Sequence, residues 1–149
     1  SNILDLQISN VKLGMTREVV HNLMLNIKEE GLRLMKLKIS NVNLNYPNSI
    51  DVLCEFIQNS KVLKFIDLSW TGLTPRLLAK ITENLLLGSL EVRNINLSYN
   101  SLNFEKPSER EHSVQVIENL TNYSVESASI QHVNFSGMCI PQDQLVLLC

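Results

Sequence analysis

Leu63-Lys64-Phe65-Ile66-Asp67-Leu68-Ser69-Trp70-Thr71-Gly72-Leu73 decides the fold, because its spacing returns as Val92-Arg93-Asn94-Ile95-Asn96-Leu97-Ser98-Tyr99-Asn100-Ser101-Leu102. Numbering these eleven positions 1–11, apolar residues occupy 1, 4, 6 and 11, and position 9 holds Asn in the second copy. The template extends outward from these two copies. An earlier copy reads Leu34, Leu37, Ile39, Val42, Leu44, and one before it Ile3, Leu6, Ile8, Val11, Leu13. A last copy reads Ile130, Val133, Phe135, Met138, Ile140. Starts near 3, 34, 63, 92 and 130 give steps of 31, 29, 29 and 38 residues, and all twenty slots outside position 9 are aliphatic or aromatic. Self-similarity at a fixed period is the signature of a repeat architecture.

Each copy has the same predicted anatomy. Alternation at positions 4 and 6 is the period of a half-buried strand, with odd positions facing the other way. Pro47, Pro75, Pro107 and Pro141 all lie shortly after the last template residue. A proline there stops a strand and can open a helix, where its missing N–H costs nothing. Helical spacing follows: Val20, Leu23, Met24, Ile27; Ile50, Leu53, Cys54, Ile57; Leu78, Ile81, Leu85; and Val114, Ile117, Leu120. Thr74 predicts an N-cap, and Ser108 with Glu111 has the spacing of a capping box. Such a unit, strand then turn then helix, hides its apolar surfaces only by stacking on neighbours.

This pattern resembles the leucine-rich repeats of the ribonuclease-inhibitor type, whose period near 29 residues leaves room for an α-helix. The resemblance implies an α/β solenoid: a right-handed arc with a parallel concave sheet and convex helices. Residues 1–149 are expected to form one array of five repeats. The first residues, Ser-Asn, and the apolar pattern running up to Cys149 lead us to expect a segment of a longer protein. Position 9 is degenerate (Val11, Val42, Thr71, Asn100, Met138), so the side-chain ladder usual at this place is expected to be mostly absent. A narrower similarity covers about residues 62–149. Leu87-Gly88-Ser89-Leu90, the strand Ile95-Asn96-Leu97-Ser98, the long 38-residue repeat and Val133-Asn134-Phe135-Ser136-Gly137 are similar to the repeats of the CARMIL family of actin capping-protein regulators. That likeness implies a cytosolic adaptor, with no functional residue to carry across. Similar repeats also occur in axonemal proteins of cilia.

Outward strand positions form columns. Position 3 holds Asp5, Lys36, Phe65, Asn94 and His132; position 5 holds Gln7, Lys38, Asp67, Asn96 and Asn134. Position 7 is serine in every copy, which fits a tight turn with local backbone bonds. Position 8 holds Asn10, Asn41, Trp70, Tyr99 and Gly137. Trp70 and Tyr99 should lie side by side near the rim of the concave face, where aromatic anchors are enriched at interfaces. The candidate binding surface is Trp70, Tyr99, Phe65, Lys36, Lys38, Asp67, Asn94 and Asn96. Arg33, Lys61 and Lys64 are expected to widen the Lys36/Lys38 pair into a basic patch beside Asp67.

Composition narrows the remaining classes. The net charge is −2, with no basic footprint for nucleic acid. Cys54, Cys139 and Cys149 are odd in number and lack metal-ligand spacing, so reduced thiols and no metal are expected. The Asn-x-Ser/Thr triplets at Asn96, Asn119, Asn122 and Asn134 are read as chance, two of them lying in predicted strands. His21, His112 and His132 fall in different units, the five glycines are scattered, and no nucleophile has an evident base. No apolar run approaches the roughly 18 residues that span a bilayer. The expected function is non-catalytic protein recognition or scaffolding in the cytoplasm, at the cytoskeleton or a cilium, without a cofactor. The alternatives are a structural component of a larger assembly such as an axoneme, and an inhibitor-like regulator of an enzyme. Without polar caps, the end units are expected to self-associate or to meet further repeats.

Overall fold

In a computed structural model, residues 4–9 and 16–148 are described. Ile3, Asn10, Val11 and Leu13 of the first copy, and Cys149, lie outside them. Strands and helices alternate: β1 (Asp5–Ser9), α1 (Arg17–Glu30), β2 (Lys36–Ser40), α2 (Pro47–Asn59), β3 (Phe65–Asp67), α3 (Pro75–Gly88), β4 (Asn94–Asn96), α4 (Pro107–Glu126), β5 (His132–Asn134) and α5 (Gln142–Leu148). The strands form one five-stranded parallel sheet in sequential order, and each helix packs against the next. The molecule is therefore α/β. Register sets Asp5, Lys36, Phe65, Asn94 and His132 in one row, and Gln7, Lys38, Asp67, Asn96 and Asn134 in a second.

Even strand positions supply the core. Leu37, Ile39, Ile66, Leu68, Ile95 and Leu97 are buried in one cluster with Leu53, Ile57, Leu78, Ile81, Leu85, Ile117 and Leu120 from the helices. Each such side chain contributes about 1.5–3 kcal/mol. No described helix is long and apolar enough to cross a membrane.

Three helices open on proline: Pro47, Pro75 and Pro107 sit in the first turns of α2, α3 and α4. Thr74 caps α3 as expected, its hydroxyl accepting from the Leu77 N–H. The capping box at Ser108 and Glu111 does not form. Pro107 starts α4 two residues earlier than a Ser108 cap would, Lys106 takes the cap position, and Ser108 lies inside the helix. The preceding turn is closed instead by Asn103, whose Oδ1 accepts from the Glu105 and Lys106 N–H groups at 3.0 and 2.9 Å.

Strand length follows from position 5. In β3 and β4 an Asp or Asn there turns back on its own chain. Asp67 Oδ1 accepts from the N–H and hydroxyl of Ser69 at 2.9 and 2.7 Å, and Asn96 Oδ1 from those of Ser98 at 3.0 and 2.6 Å. Asn134 accepts from the Ser136 N–H at 2.9 Å in β5. These Asx turns divert an N–H that would otherwise continue the ladder, and all three strands stop at position 5. Gln7 and Lys38 make no such turn, and β1 and β2 run on to Ser9 and Ser40.

A second group of serines closes the helices: Ser60, Ser89 and Ser127 are the C-caps of α2, α3 and α4. The Ser89 hydroxyl donates to the carbonyls of Ile57 and Ser60, and that of Ser127 to Leu90 O at 2.7 Å. Tyr123 is bound into the same seam, donating to Ser89 O at 2.5 Å and accepting from the Val92 N–H at 3.1 Å.

Candidate functional site

Position 8 carries an unusual backbone. Asn41, Trp70 and Tyr99 have φ of 54°, 55° and 58°, and Gly137 has 72°. The turn after each described strand from β2 to β5 thus holds a left-handed residue at position 8, and those after β3 and β5 hold a second at position 10, Gly72 with φ of 68° and Cys139 with 51°. Gly and Asn adopt that conformation readily, whereas a bulky side chain there costs about 1 kcal/mol or more. Asn41 and Gly137 suit the turn. Trp70 and Tyr99 occupy it against preference.

Those two rings stack, with centroids 4.3 Å apart and planes 15° from parallel. They remain 57% and 46% exposed. Gly137 completes the column: a Cβ built on it would clash with the Tyr99 ring at Cδ1 and Cε1, so the ring rests on bare backbone. Gly137→Ala is expected to displace Tyr99 and cost about 1–2 kcal/mol through the clash and the positive φ. Near-ultraviolet circular dichroism should then lose the signal of the stacked pair. An unaltered spectrum and melting point would show that Tyr99 does not rest there.

The outer face of the sheet adds the other sequence-nominated residues. Lys36 Nζ lies 4.7 Å from the centre of the Phe65 ring, a cation–π contact. Lys38 Nζ stands 4.0 Å from Asp67 Oδ2, and Asn96 Nδ2 donates to the same oxygen at 3.2 Å. Asn94 is half-buried in the row between Phe65 and His132.

Two expectations need correction. Asp67 is 4% exposed, with both oxygens engaged by Ser69, Asn96 and Lys38, so it is not an open carboxylate on a binding face. Asn96 is likewise committed, to Ser98 and Asp67. Position 5 sits at the strand exit, where a short acceptor side chain satisfies the turn before it can serve a ligand. The basic patch is also not bare: Lys64 pairs with Glu91 at 3.2 Å and Lys61 Nζ donates to Gly88 O at 3.3 Å.

One pairing had no sequence signal. His21 Nδ1 lies 3.2 Å from Ser49 Oγ, across 28 residues. Ser49 is only 1% exposed, so its hydroxyl is closed to a substrate and the contact joins α1 to α2. Among the described residues no cluster of His, Cys, Asp and Glu has the makings of a metal site. Of the four Asn-x-Ser/Thr asparagines, Asn96 and Asn134 lie in strands. Asn119 is buried, its amide donating to Ala79 O and Thr82 Oγ1.

No family model matches the chain, and comparison with curated proteins finds no match.

Proposed function

We propose that this chain is a leucine-rich-repeat array of the ribonuclease-inhibitor type that serves as a non-catalytic protein-recognition surface. Its anchor is the Trp70–Tyr99 stack. The observation that carries this reading is the conflict between backbone and side chain at position 8. Folding alone favours Asn or Gly in that left-handed turn, yet two large aromatics stand there, adjacent, stacked and open to solvent. Strain of this kind collects at functional sites, and Trp and Tyr are the residues that most often dominate binding energy. Lys36 and Phe65 extend the surface along the outer face, with Lys38 and Asn94 beside them.

In its finer form, the proposal is a cytoplasmic adaptor of the CARMIL kind at the actin cytoskeleton, on the strength of the sequence resemblance. A second reading, a structural unit of a larger assembly such as a ciliary axoneme, is favoured by Leu87 and Val125. These are 63% and 81% exposed near the C-terminal ends of α3 and α4.

Replacing Trp70 and Tyr99 together by asparagine tests the choice. Asparagine tolerates the left-handed turn, so the fold should be kept. Each lost anchor should weaken binding by about 2 kcal/mol, roughly thirtyfold. Capping-protein or membrane-edge partners recovered from cytosol by the native chain and lost by the variant would support the adaptor. Tubulin-associated partners retained by both would favour the structural unit, and any partner set unaffected by the variant would sink the aromatic anchor.

A further inference from the structure

Charge is sorted between the two sides of the molecule. Helices α1–α4 carry ten Asp or Glu against five Lys or Arg. The strand side reverses the sign. β2, β3 and β4, each flanked by a neighbour on both sides, bring together Lys36, Lys38, Lys64 and Arg93 at positions 2, 3 and 5. The carboxylates closest to them are engaged: Asp67 is buried and held by Ser69, Asn96 and Lys38, and Glu91 is held by Lys64. Asp5 stands beside Lys36 in register and forms no ion pair with it.

Lys36 and Arg93 are thereby left without a countercharge, since neither enters an ion pair among the described residues. The Phe65 ring beneath Lys36 Nζ holds the ammonium in place and leaves its charge intact. Arg93 is exposed, and its backbone N–H bonds to Lys64 O in the neighbouring unit. The half-buried amide of Asn94 continues the row from Lys36 and Phe65. Neighbouring strands lie about 4.8 Å apart, which sets β2 and β4 about 10 Å from each other. From position 3 to the aromatic turns at position 8 is roughly 16 Å, a length that an extended chain covers in about five residues.

We propose that the partner meets this face through an extended acidic segment of polypeptide. Its Asp or Glu side chains lie on Lys36 and Arg93, about five positions from an apolar side chain that covers Trp70 and Tyr99. This partner chemistry rests on the recognition reading above and deepens it. The Arg93 guanidinium can hold a carboxylate with two parallel bonds, and the acidic helices turn such a segment toward the strand side. A nucleic acid fits less well: its strand carries a charge about every 3.4 Å, against which this face offers Lys36 and Arg93 while the helices repel a polyanion.

Panning displayed random peptides on the native chain tests this, followed by affinity measurement on the recovered peptides made synthetically. They should be enriched in Asp and Glu about five positions from an aromatic or aliphatic residue. Lys36→Glu with Arg93→Glu should weaken their binding at least about tenfold, by setting like charges together. Arg17→Glu with Arg76→Glu changes the net charge equally at exposed places on α1 and α3, and should leave binding within about twofold. If the strand-side pair loses native circular dichroism, Lys36→Gln with Arg93→Gln reads the same loss at about fivefold. Recovered peptides without acidic enrichment, or acidic ones indifferent to the strand-side pair, overturn the acidic partner and leave the aromatic anchor to its own asparagine variant. Recovery of no peptide overturns both. Single-stranded oligouridylate bound more tightly than any recovered peptide would make the partner a nucleic acid and overturn the proposal too.

Discussion

Asn100→Ala is expected to lower unfolding stability by about 3–5 kcal/mol, the largest effect of any single substitution considered for this chain. Asn100 is buried, and its amide uses both ends. Oδ1 accepts from the Thr71 and Leu73 N–H groups at 3.2 and 2.9 Å and from the Thr71 hydroxyl at 3.2 Å. Nδ2 donates to the carbonyls of Leu68 and Leu97 at 2.8 and 3.0 Å. Alanine orphans two buried backbone N–H groups and the Leu97 carbonyl, while Leu68 O keeps the Thr71 hydroxyl at 2.6 Å; each orphaned group costs about 1–3 kcal/mol before relaxation. Asn100→Asp keeps the acceptor but turns a carboxylate toward two carbonyl oxygens, so it should do at least as much harm. Urea midpoints of both variants at neutral pH provide the check. A loss below about 1 kcal/mol would mean that water or backbone takes over the bonds.

Alkali is expected to weaken the fold steadily from about pH 9 upward. Burial, helped by the Asp51 carboxylate, pushes the Cys54 thiol up from 9.0 to about 12. Burial likewise raises the Tyr123 phenol from 10.0 to about 12, with hydrogen bonds to Ser127 and Val92 opposing the rise. Both groups are neutral acids whose folded value exceeds the unfolded one. Their contribution is therefore complete below pH 9 and falls as pH climbs from 9 to 12, because the unfolded chain releases protons that the folded chain retains. The slope is about 1.4 kcal/mol per pH unit for the thiol, and roughly doubles above pH 10 when the phenol joins. Several kcal/mol are at stake by pH 12, comparable with the whole stability of a typical domain. Cys54→Ala should remove the fall between pH 9 and 10, and Tyr123→Phe part of the fall above it. A native curve flat to pH 12 would mean that neither group stays protonated in the fold.

The elements were legible because the repeat states them many times. Position 4 of the template is paired in register at every junction of the sheet and position 6 between β1 and β2, and the prolines mark where α2, α3 and α4 begin. The faces were harder to read. Period-2 alternation places Asp67 outward, but whether its carboxylate is free depends on the serine two residues on and on Asn96 and Lys38 in neighbouring strands. Those are three-dimensional facts. Sequence spacing favoured Ser108 as a cap, while the fixed φ of Pro107 made the helix begin before it. The left-handed turn, by contrast, had its signal in the column Asn41, Trp70, Tyr99, Gly137. Its Asn and Gly members are turn residues, and they show the aromatics to be guests in a place built for others.

Trp70 is the single tryptophan of the chain, and its position sets what light can report about this molecule. An indole already 57% exposed in the native state should shift its emission only slightly on denaturation, so fluorescence is a poor gauge of unfolding here. The same indole, stacked on Tyr99 at the edge of the outer face, would change colour and quenching as soon as something covered it. The protein carries its own optical probe, nearly blind to the core and sensitive at the surface.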